Sequence, residues 1–228
     1  MMLAVLLGCA AAPLPDHGWM MVHRCLEWGT ENSEEACLDG VVAMESDPSI
    51  VGMETDWCWA DEAPRSCHEC GACGPEHRGI EWEVMLDAIE DIAEVREDAL
   101  FVIELKDTIP GEGRAMVDFA APAIEGLEDH IIFSAFDEGV RDALNEHAEL
   151  KTAHNAVTNP LPTGLDEDDF LITNTGSTNG AQLARVPLET EVILYNVDSP
   201  HTRGRAADML QSGAADYIMA NELWEEVE

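Results

Sequence analysis

Three carboxylates lie in two apolar runs of the sequence that are far apart along the chain. Glu54 and Asp56 belong to one run, and Glu104 belongs to another. Side chains two residues apart on a β-strand point to the same face, so Glu54 and Asp56 are expected to share a face. Carboxylates gathered at one point raise each other's pKa unless a cation lies among them, and their oxygens are ligands that suit Mg²⁺ and Ca²⁺. The three residues therefore predict a divalent-metal site.

Two histidines and two cationic side chains accompany these carboxylates. His23 and Arg24 end one apolar run, and His68 lies in a later loop. Lys106 ends the run that contains the third carboxylate. Imidazole can both give and take a proton near neutral pH, and guanidinium and ammonium groups bind phosphate. Taken singly, such residues are more often structural than catalytic, so the joint pattern carries the prediction that the histidines act as general acid and base and the cations contact a phosphate.

Eight short apolar or β-branched runs alternate with segments of helical periodicity, which is typical of βαβ units in a parallel sheet. The predicted strands are residues 19–23, 51–57, 100–106, 130–134, 150–155, 170–173, 192–196 and 217–220. The predicted helices are residues 31–44, 81–95, 114–124, 137–149 and 203–211. Eight strands predict an α/β fold, namely a closed (β/α)8 TIM barrel in which some helices are short or irregular. After the second strand, residues 57–79 are predicted to form a long cysteine-rich loop. The carboxyl ends of barrel strands meet on one face, so the candidate site residues are expected to converge there.

The charge balance of the chain limits its partners. The sequence has 47 acidic and 11 basic residues, which gives a formal net charge of -36. Such a surface repels nucleic acid and anionic lipid at long range, so no nucleic-acid partner is expected. The excess carboxylates are interpreted as a solvated surface suited to a salty environment, where counter-ions screen self-repulsion.

The first residues resemble the end of a bacterial lipoprotein signal. Residues 1–12 are apolar, end in small side chains and contain a Leu-x-Gly-Cys box that would deliver Cys9 for lipidation. The alternative is a chance apolar terminus without a basic segment before it. We therefore expect residues 1–18 to be a lipoprotein-like signal remnant and linker, and residues 19–228 to form a single barrel domain. The expected location is outside the cytoplasm, anchored to a membrane by lipid, in the periplasm or on the cell surface.

The other cysteines form an even set, which in an exported protein usually pairs into disulfides. The disulfide candidates are Cys25, Cys37, Cys58, Cys67, Cys70 and Cys73. A zinc or iron–sulfur cluster at the last three is the alternative, because their two-residue gaps suit thiolate ligands.

Five short motifs occur in a fixed order along the chain. They are His23-Arg24-Cys25, Glu31-Asn32-Ser33, Glu54-Thr55-Asp56, His68-Glu69 and Glu104-Leu105-Lys106. Together with segments 132–136, 192–196 and 212–219, they resemble the glycerophosphodiester phosphodiesterase family, which shows His-Arg-Gly, Glu-Asn-Thr, Glu-x-Asp, His-Asp and Glu-x-Lys in this order. Cys25 departs from the family glycine, and Glu69 departs from the family aspartate.

The resemblance implies a TIM barrel and a metal-dependent phosphoric diester hydrolase that acts on glycerophosphodiesters or related phospholipid headgroups. It implies that Glu54, Asp56 and Glu104 hold Mg²⁺ or Ca²⁺. It further implies that His23 and His68 perform acid–base catalysis, and that Arg24 and Lys106 contact the phosphate. In that family, a substrate hydroxyl beside the phosphodiester can attack phosphorus and give a cyclic intermediate.

Three other functions remain open at this point. A sphingomyelinase D-like phospholipase of the same superfamily would share the histidines and carboxylates, and headgroup-release assays would separate the two. A non-catalytic cysteine-rich binding lipoprotein or metal carrier belongs to a different class, and thiol counting would distinguish it from an exported enzyme.

Trp57 and Trp59 could stack on a headgroup, although core packing is the commoner use of such rings.

Overall fold

The computed structural model describes residues 18–26, 33–60, 63–70, 79–106, 112–156, 165 and 170–221. The strands are β1 (Met20–Val22), β2 (Ile50–Ala60), β3 (Ala63–Ser66), β4 (Leu100–Lys106), β5 (Ile131–Ala135), β6 (Lys151–Ala156), β7 (Phe170–Asn174), β8 (Glu191–Tyr195) and β9 (Tyr217–Ala220). The helices are α1 (Glu34–Ser46), α2 (Trp82–Ala93), α3 (Glu112–Ala123), α4 (Glu138–Leu144), α5 (Gly180–Leu183) and α6 (Pro200–Gln211), and a 3-10 turn spans Arg24–Leu26.

Eight of the strands form a closed parallel barrel. The order around the barrel is β1, β2, β4, β5, β6, β7, β8 and β9, and pairing of β1 with both β2 and β9 closes it. Strands buried on both faces read as continuous apolar runs, and Ile131–Ala135 is buried at every position. The predicted (β/α)8 fold and its eight strands are confirmed.

The segment after the second strand differs from the predicted loop. β2 continues to Ala60 and pairs antiparallel with β3, with Trp57 opposite Ser66. Trp57 and Trp59 have strong β-propensity, and Cys58 between them pairs in register with Lys106 of β4, so the strand continues past the barrel rim. The prediction of a continuous irregular loop over residues 57–79 was therefore wrong for its first part.

Two helices also differ from the sequence prediction. The helix predicted over residues 137–149 is shorter and covers only Glu138–Leu144. The four-residue helix α5 was not predicted, although Asn179 and Gln182 form a capping box at its start. Among the described residues, none of the helices combines the length and apolar character that crossing a membrane would require.

The barrel interior has an apolar layer below a polar one. The apolar layer contains Met21, Val102, Ile132, Ala153, Ile172, Ile193 and Met219. Side chains alternate along each strand, so a residue two positions later points to the same interior but lies nearer the carboxyl end. Those later positions are His23, Glu104, Ser134, Asn155, Asn174, Tyr195 and Asn221. The strand ends thus supply polar side chains above a closed apolar floor.

The aromatic residues of β2 pack outside the barrel, between sheet and helices. Trp57 is fully buried and meets Trp82 of α2 edge to face, with ring centroids 4.9 Å apart. Trp59 meets Phe119 of α3 in the same way at 5.9 Å. Both rings therefore pack between the sheet and the helices, which is the commoner use expected of such rings.

Candidate active site

A cavity of about 620 Å³ opens at the carboxyl ends of the barrel strands. Its volume is that of a small-molecule site. Six of the seven predicted catalytic, metal-binding and phosphate-binding residues line it, namely His23, Arg24, Glu54, His68, Glu104 and Lys106. The seventh, Asp56, is 1% exposed and contacts three of them. The structure thus brings the predicted residues together at one end of the barrel.

The three carboxylates lie close enough to share one cation. One oxygen each from Glu54, Asp56 and Glu104 lies within 4.8 Å of the other two. Asp56 and Glu104 are register partners on the neighbouring strands β2 and β4, and Glu54 lies two residues before Asp56 on the same face. Three hard oxygen donors on one side of a cavity fit Mg²⁺ or Ca²⁺ better than a soft metal.

Burial is the largest influence on these carboxyl groups, and neighbouring charges then separate them. Burial raises the pKa of Glu54 well above its usual value, and the charges of Asp56 and Glu104 raise it further. Burial also raises the pKa of Glu104, against the opposing charge of Lys106. For Asp56, the hydrogen bond from His68 and the charge of Lys106 outweigh burial and hold the pKa well below its usual value. A cation among the three oxygens would relieve the repulsion that raises the pKa of Glu54.

Lys106 is the cation nearest to the carboxylates. Its Nζ lies 2.7 Å from Asp56 Oδ1 and 3.4 Å from Glu104 Oε1. Burial alone would lower the pKa of Lys106, but the two carboxylates outweigh burial and raise it. Lys106 is therefore charged at neutral pH and presents part of its charge to the cavity.

His23 is held in one tautomer by a chain of two hydrogen bonds. Its Nδ1 lies 2.7 Å from Asn221 Oδ1, and Asn221 Nδ2 donates to Asp198 Oδ2 at 2.7 Å. Because a carboxylate only accepts, the amide nitrogen must face Asp198 and the amide oxygen must face His23. Nδ1 of His23 therefore carries the proton, and Nε2, 3.7 Å from Glu54 Oε2, has the lone pair. Burial and the charge of Arg24 lower the pKa of His23 to about 4, so the ring is neutral at neutral pH.

His68 has two competing partners at one ring nitrogen. Its Nδ1 lies 3.0 Å from Asp56 Oδ2 and 2.8 Å from Lys106 Nζ. Nδ1 can donate to the carboxylate or accept from the ammonium group, but it cannot do both at once. When Nδ1 donates to Asp56, the protonated form of the ring still has a proton on Nε2 that it can give away.

The turn after β1 is strained and is bonded to α1. Arg24 and Cys25 have φ values of 51° and 56°, a region that side chains other than glycine rarely adopt. Cys25, which stands where the resembled family has glycine, forms a disulfide with Cys37 of α1. The backbone N–H of Arg24 donates to Glu54 Oε2 at 3.0 Å, and its Nε lies 3.6 Å from Asp56 Oδ2. The disulfide thus fixes a turn that aims two donors of Arg24 at the carboxylates.

A second disulfide anchors the segment that carries His68. Cys58 of β2 is bonded to Cys70, and Cys67 is disulfide-bonded as well. The disulfide prediction is therefore confirmed for Cys25, Cys37, Cys58, Cys67 and Cys70. The alternative of a thiolate metal cluster is contradicted, because a disulfide-bonded Cys70 cannot bind a metal as a thiolate. Cys9, Cys73 and two residues of the second motif, Glu31 and Asn32, lie outside the described residues.

Several neutral polar residues of the cavity were not predicted. Ser134 and Asn155 line the cavity one residue before the ends of β5 and β6, and Tyr195 lines it at the end of β8. Asn221, which follows β9, contacts the lining residue His23. Each follows an interior apolar residue by two positions, which is the signal that would have found them. Asp198 was missed because it acts through Asn221 and does not line the cavity.

Comparison with solved structures gives the same fold. The chain is similar to an Oleispira antarctica phosphodiesterase in complex with the product sn-glycerol-3-phosphate, at 16% identity and a TM-score of 0.62, covering 91% of this chain and 93% of that one. A putative glycerophosphoryl diester phosphodiesterase from Agrobacterium tumefaciens is 14% identical, with a TM-score of 0.60 and coverage of 90% and 94%. The glycerophosphoryl diester phosphodiesterase domain of an uncharacterised Mycobacterium tuberculosis protein is 12% identical, with a TM-score of 0.57 and coverage of 91% and 97%.

No protein-family model and no curated protein matches the sequence. The solved structures therefore show the class of fold, a (β/α)8 barrel that they share over about nine-tenths of this chain.

Proposed function

We propose that this chain is a divalent-metal-dependent phosphodiesterase that hydrolyses glycerophosphodiesters or related phospholipid headgroups. The observation that carries the proposal is the convergence of three carboxylates, two imidazoles and two cations at the carboxyl end of the barrel. The shared fold of the phosphodiesterase structures supports it, and one of those proteins holds sn-glycerol-3-phosphate as product.

Glu54, Asp56 and Glu104 would hold the cation, Mg²⁺ or Ca²⁺, which would polarise a phosphoryl oxygen and stabilise the negative charge that develops there. Arg24 and Lys106 flank the carboxylates and bind the remaining phosphoryl oxygens, since both present a positive charge to the cavity.

His23 is the general base and His68 the general acid. The His23 ring is neutral at neutral pH, so its Nε2 has a free lone pair. This nitrogen accepts the proton of the oxygen that attacks phosphorus. The bond from phosphorus to the alcohol oxygen breaks, and the protonated imidazole of His68 gives its Nε2 proton to that leaving oxygen and becomes neutral. Nδ1–H of His68 donates to Asp56 Oδ2, which orients the ring for this transfer.

The disulfides support a further proposal, that the protein is exported. Five of the described cysteines are disulfide-bonded, a state that persists in oxidising compartments. Lipidation at Cys9 and anchoring in the periplasm or on the cell surface remain predictions from the sequence.

The proposal is tested by assaying purified protein against a panel of phosphodiesters, with chelator, with Mg²⁺ and with Ca²⁺. We expect release of glycerol 3-phosphate from a glycerophosphodiester only when a divalent ion is present. His23→Ala should lower kcat at least a hundredfold, since general-base catalysis contributes about 10² or more. His130→Ala is the matched control, because His130 precedes β5 at the opposite end of the barrel and bonds Ala99 O.

Two results would count against the proposal. Hydrolysis that persists in chelator would exclude the metal role, and normal turnover by His23→Ala would exclude the assigned base. Release of a cyclic phosphate from sphingomyelin or lysophospholipid, without hydrolysis of glycerophosphodiesters, would instead favour the sphingomyelinase D-like alternative.

A further inference from the structure

Two polar side chains of the cavity wall have buried polar atoms without a hydrogen-bond partner among the described residues. Ser134 is 1% exposed and its Oγ is unpaired, and both amide atoms of Asn155 are buried and unpaired. Buried polar groups in folded proteins are nearly always paired, because an unpaired one loses its hydration without compensation. Two such residues side by side in one cavity wall point to a ligand.

Both side chains point into the cavity. Ile132 and Ala153 belong to the apolar interior of the barrel, and Ser134 and Asn155 follow them by two positions on the same face. β5 and β6 are neighbouring strands, and Ser134 is in register with Ala153. Asn155 therefore lies on the adjacent strand, two residues nearer the carboxyl end than Ser134. Both line the cavity that contains the carboxylates.

Ser134 lies on the strand next to one of the three carboxylates. Ser134 is the register partner of Glu104 on the neighbouring strand β4. Neighbouring strands lie about 4.8 Å apart, so a group bound at Ser134 is within a few bonds of one held at the carboxylates. A single small molecule can reach both places.

The chemistry of this wall selects neutral hydroxyl groups. Ser134 offers one donor and two acceptor lone pairs, and Asn155 offers two donors and one acceptor oxygen. Neither carries charge, so neither compensates the charge of an ammonium or a carboxylate. The adjoining wall is apolar at Ile172 and Val102, which suits the carbon skeleton of an alcohol.

We infer that Ser134 and Asn155 form a hydroxyl-binding subsite for the polyol part of the substrate, next to the carboxylates that hold the cation and therefore next to the phosphate end. The inference rests on the proposed function for the place of the phosphate. Both residues are binding residues that set specificity for hydroxyl-bearing alcohols, and they have no part in proton transfer.

Calorimetric binding tests the subsite without requiring turnover. Protein with excess Mg²⁺ or Ca²⁺ is titrated with sn-glycerol 3-phosphate and with propyl phosphate, which has the same carbon chain and no free hydroxyl. We expect the wild-type chain to prefer glycerol 3-phosphate at least tenfold, a size typical of hydrogen bonds to neutral hydroxyls. Ser134→Ala and Asn155→Leu should each remove most of this preference by weakening glycerol 3-phosphate while leaving propyl phosphate within about twofold.

Melting temperature separates binding from a structural role. Removing a polar group that has no partner should leave the melting temperature unchanged or raise it. Thr173→Val is the matched control, because Thr173 is buried on neighbouring β7 and its Oγ1 is bonded to Ala156 O and to Thr178. That variant should melt lower and keep the ligand preference.

Three outcomes decide the matter. A wild-type chain without preference for glycerol 3-phosphate, or variants that keep it, would overturn the subsite. Variants that melt well below the wild-type chain would show a structural role and overturn it as well. A preference that behaves as expected, in a protein that hydrolyses no phosphodiester, would sustain the subsite and refute the proposed function.

Discussion

Replacing Glu54 by glutamine should make the metal-free protein more stable and should remove most of its stabilisation by a divalent ion. Glu54 is 2% exposed and lies beside two other carboxylates, and burial followed by their charges raises its pKa well above the usual value. A group whose pKa is raised by folding contributes stability below its ordinary pKa and loses it as the pH rises through the folded value. The gain from Glu54→Gln should therefore be present near neutral pH and vanish in acid.

The stabilisation that a bound divalent ion gives the folded chain follows from its affinity and concentration. An ion that binds only the folded state at one hundred times its Kd adds about 2.7 kcal/mol of stability. For a domain of this length, about 1 kcal/mol shifts the melting temperature by about 2–4 °C, so the wild-type chain should gain about 5–11 °C. If the loss of one of three ligand charges weakens binding about a hundredfold, the same ion concentration adds only about 0.4 kcal/mol to Glu54→Gln, or about 1–2 °C.

The assay is thermal unfolding followed by far-ultraviolet circular dichroism, with chelator and with Mg²⁺ or Ca²⁺, near neutral pH and in acid. Glu191→Gln is the control, because Glu191 begins β8 at the opposite end of the barrel and bonds Tyr217 OH at 3.1 Å. It should keep the full metal gain. If Glu54→Gln kept the same gain as the wild-type chain, the assignment of the cation to this cluster would be refuted.

Three more predictions follow from the site and from the charge of the chain. Asn221→Leu should lower kcat about tenfold with little change in KM, because His23 loses the bond that fixes its tautomer; unchanged kcat would show that this bond has no catalytic role. Removing the Cys58–Cys70 disulfide by replacing both residues with alanine should lower the melting temperature and kcat while the barrel remains folded, since the segment carrying His68 is released; full activity would contradict this. Raising the salt concentration from about 0.1 M to about 1 M should raise the melting temperature, because salt screens the repulsion among the 47 acidic residues, which far outnumber the 11 basic ones. An unchanged or lower melting temperature would contradict the interpretation of the excess carboxylates as a surface suited to salt.

The barrel could be predicted because its strands carry a strong local signal. Most of the parallel strands are buried over most of their length, so they read as short apolar runs whatever their neighbours are. β6, with the sequence Lys-Thr-Ala-His-Asn-Ala, is an exception, because it is only half-buried at four of its six positions. The hairpin of β2 and β3 gave no such signal, because Pro64 and Arg65 interrupt the pattern of β3 and the long loop composition suggested irregular structure. α5 is four residues long, which is too short for helical periodicity to show.

The charged half of the site was predicted from the sequence, and the neutral half was missed. Carboxylates and histidines at strand ends are costly to bury, so their positions are informative in the sequence alone. Burying the neutral side chains of Ser134 and Asn155 costs less, and their two-residue spacing from an interior apolar residue is informative only once the interior face of each strand is known. Asn221 is 198 residues from His23, and only closure of the barrel brings the two together.

The central claim is that Glu54, Asp56 and Glu104 together hold a divalent cation at the carboxyl end of the barrel. The most direct test is a crystal structure of the protein grown with Mn²⁺, in which anomalous scattering locates the ion independently of activity. We expect one strong anomalous peak within coordination distance, about 2.0–2.4 Å, of oxygens from all three residues. A saturated crystal with no peak among these oxygens, or with the ion bound elsewhere, would contradict it.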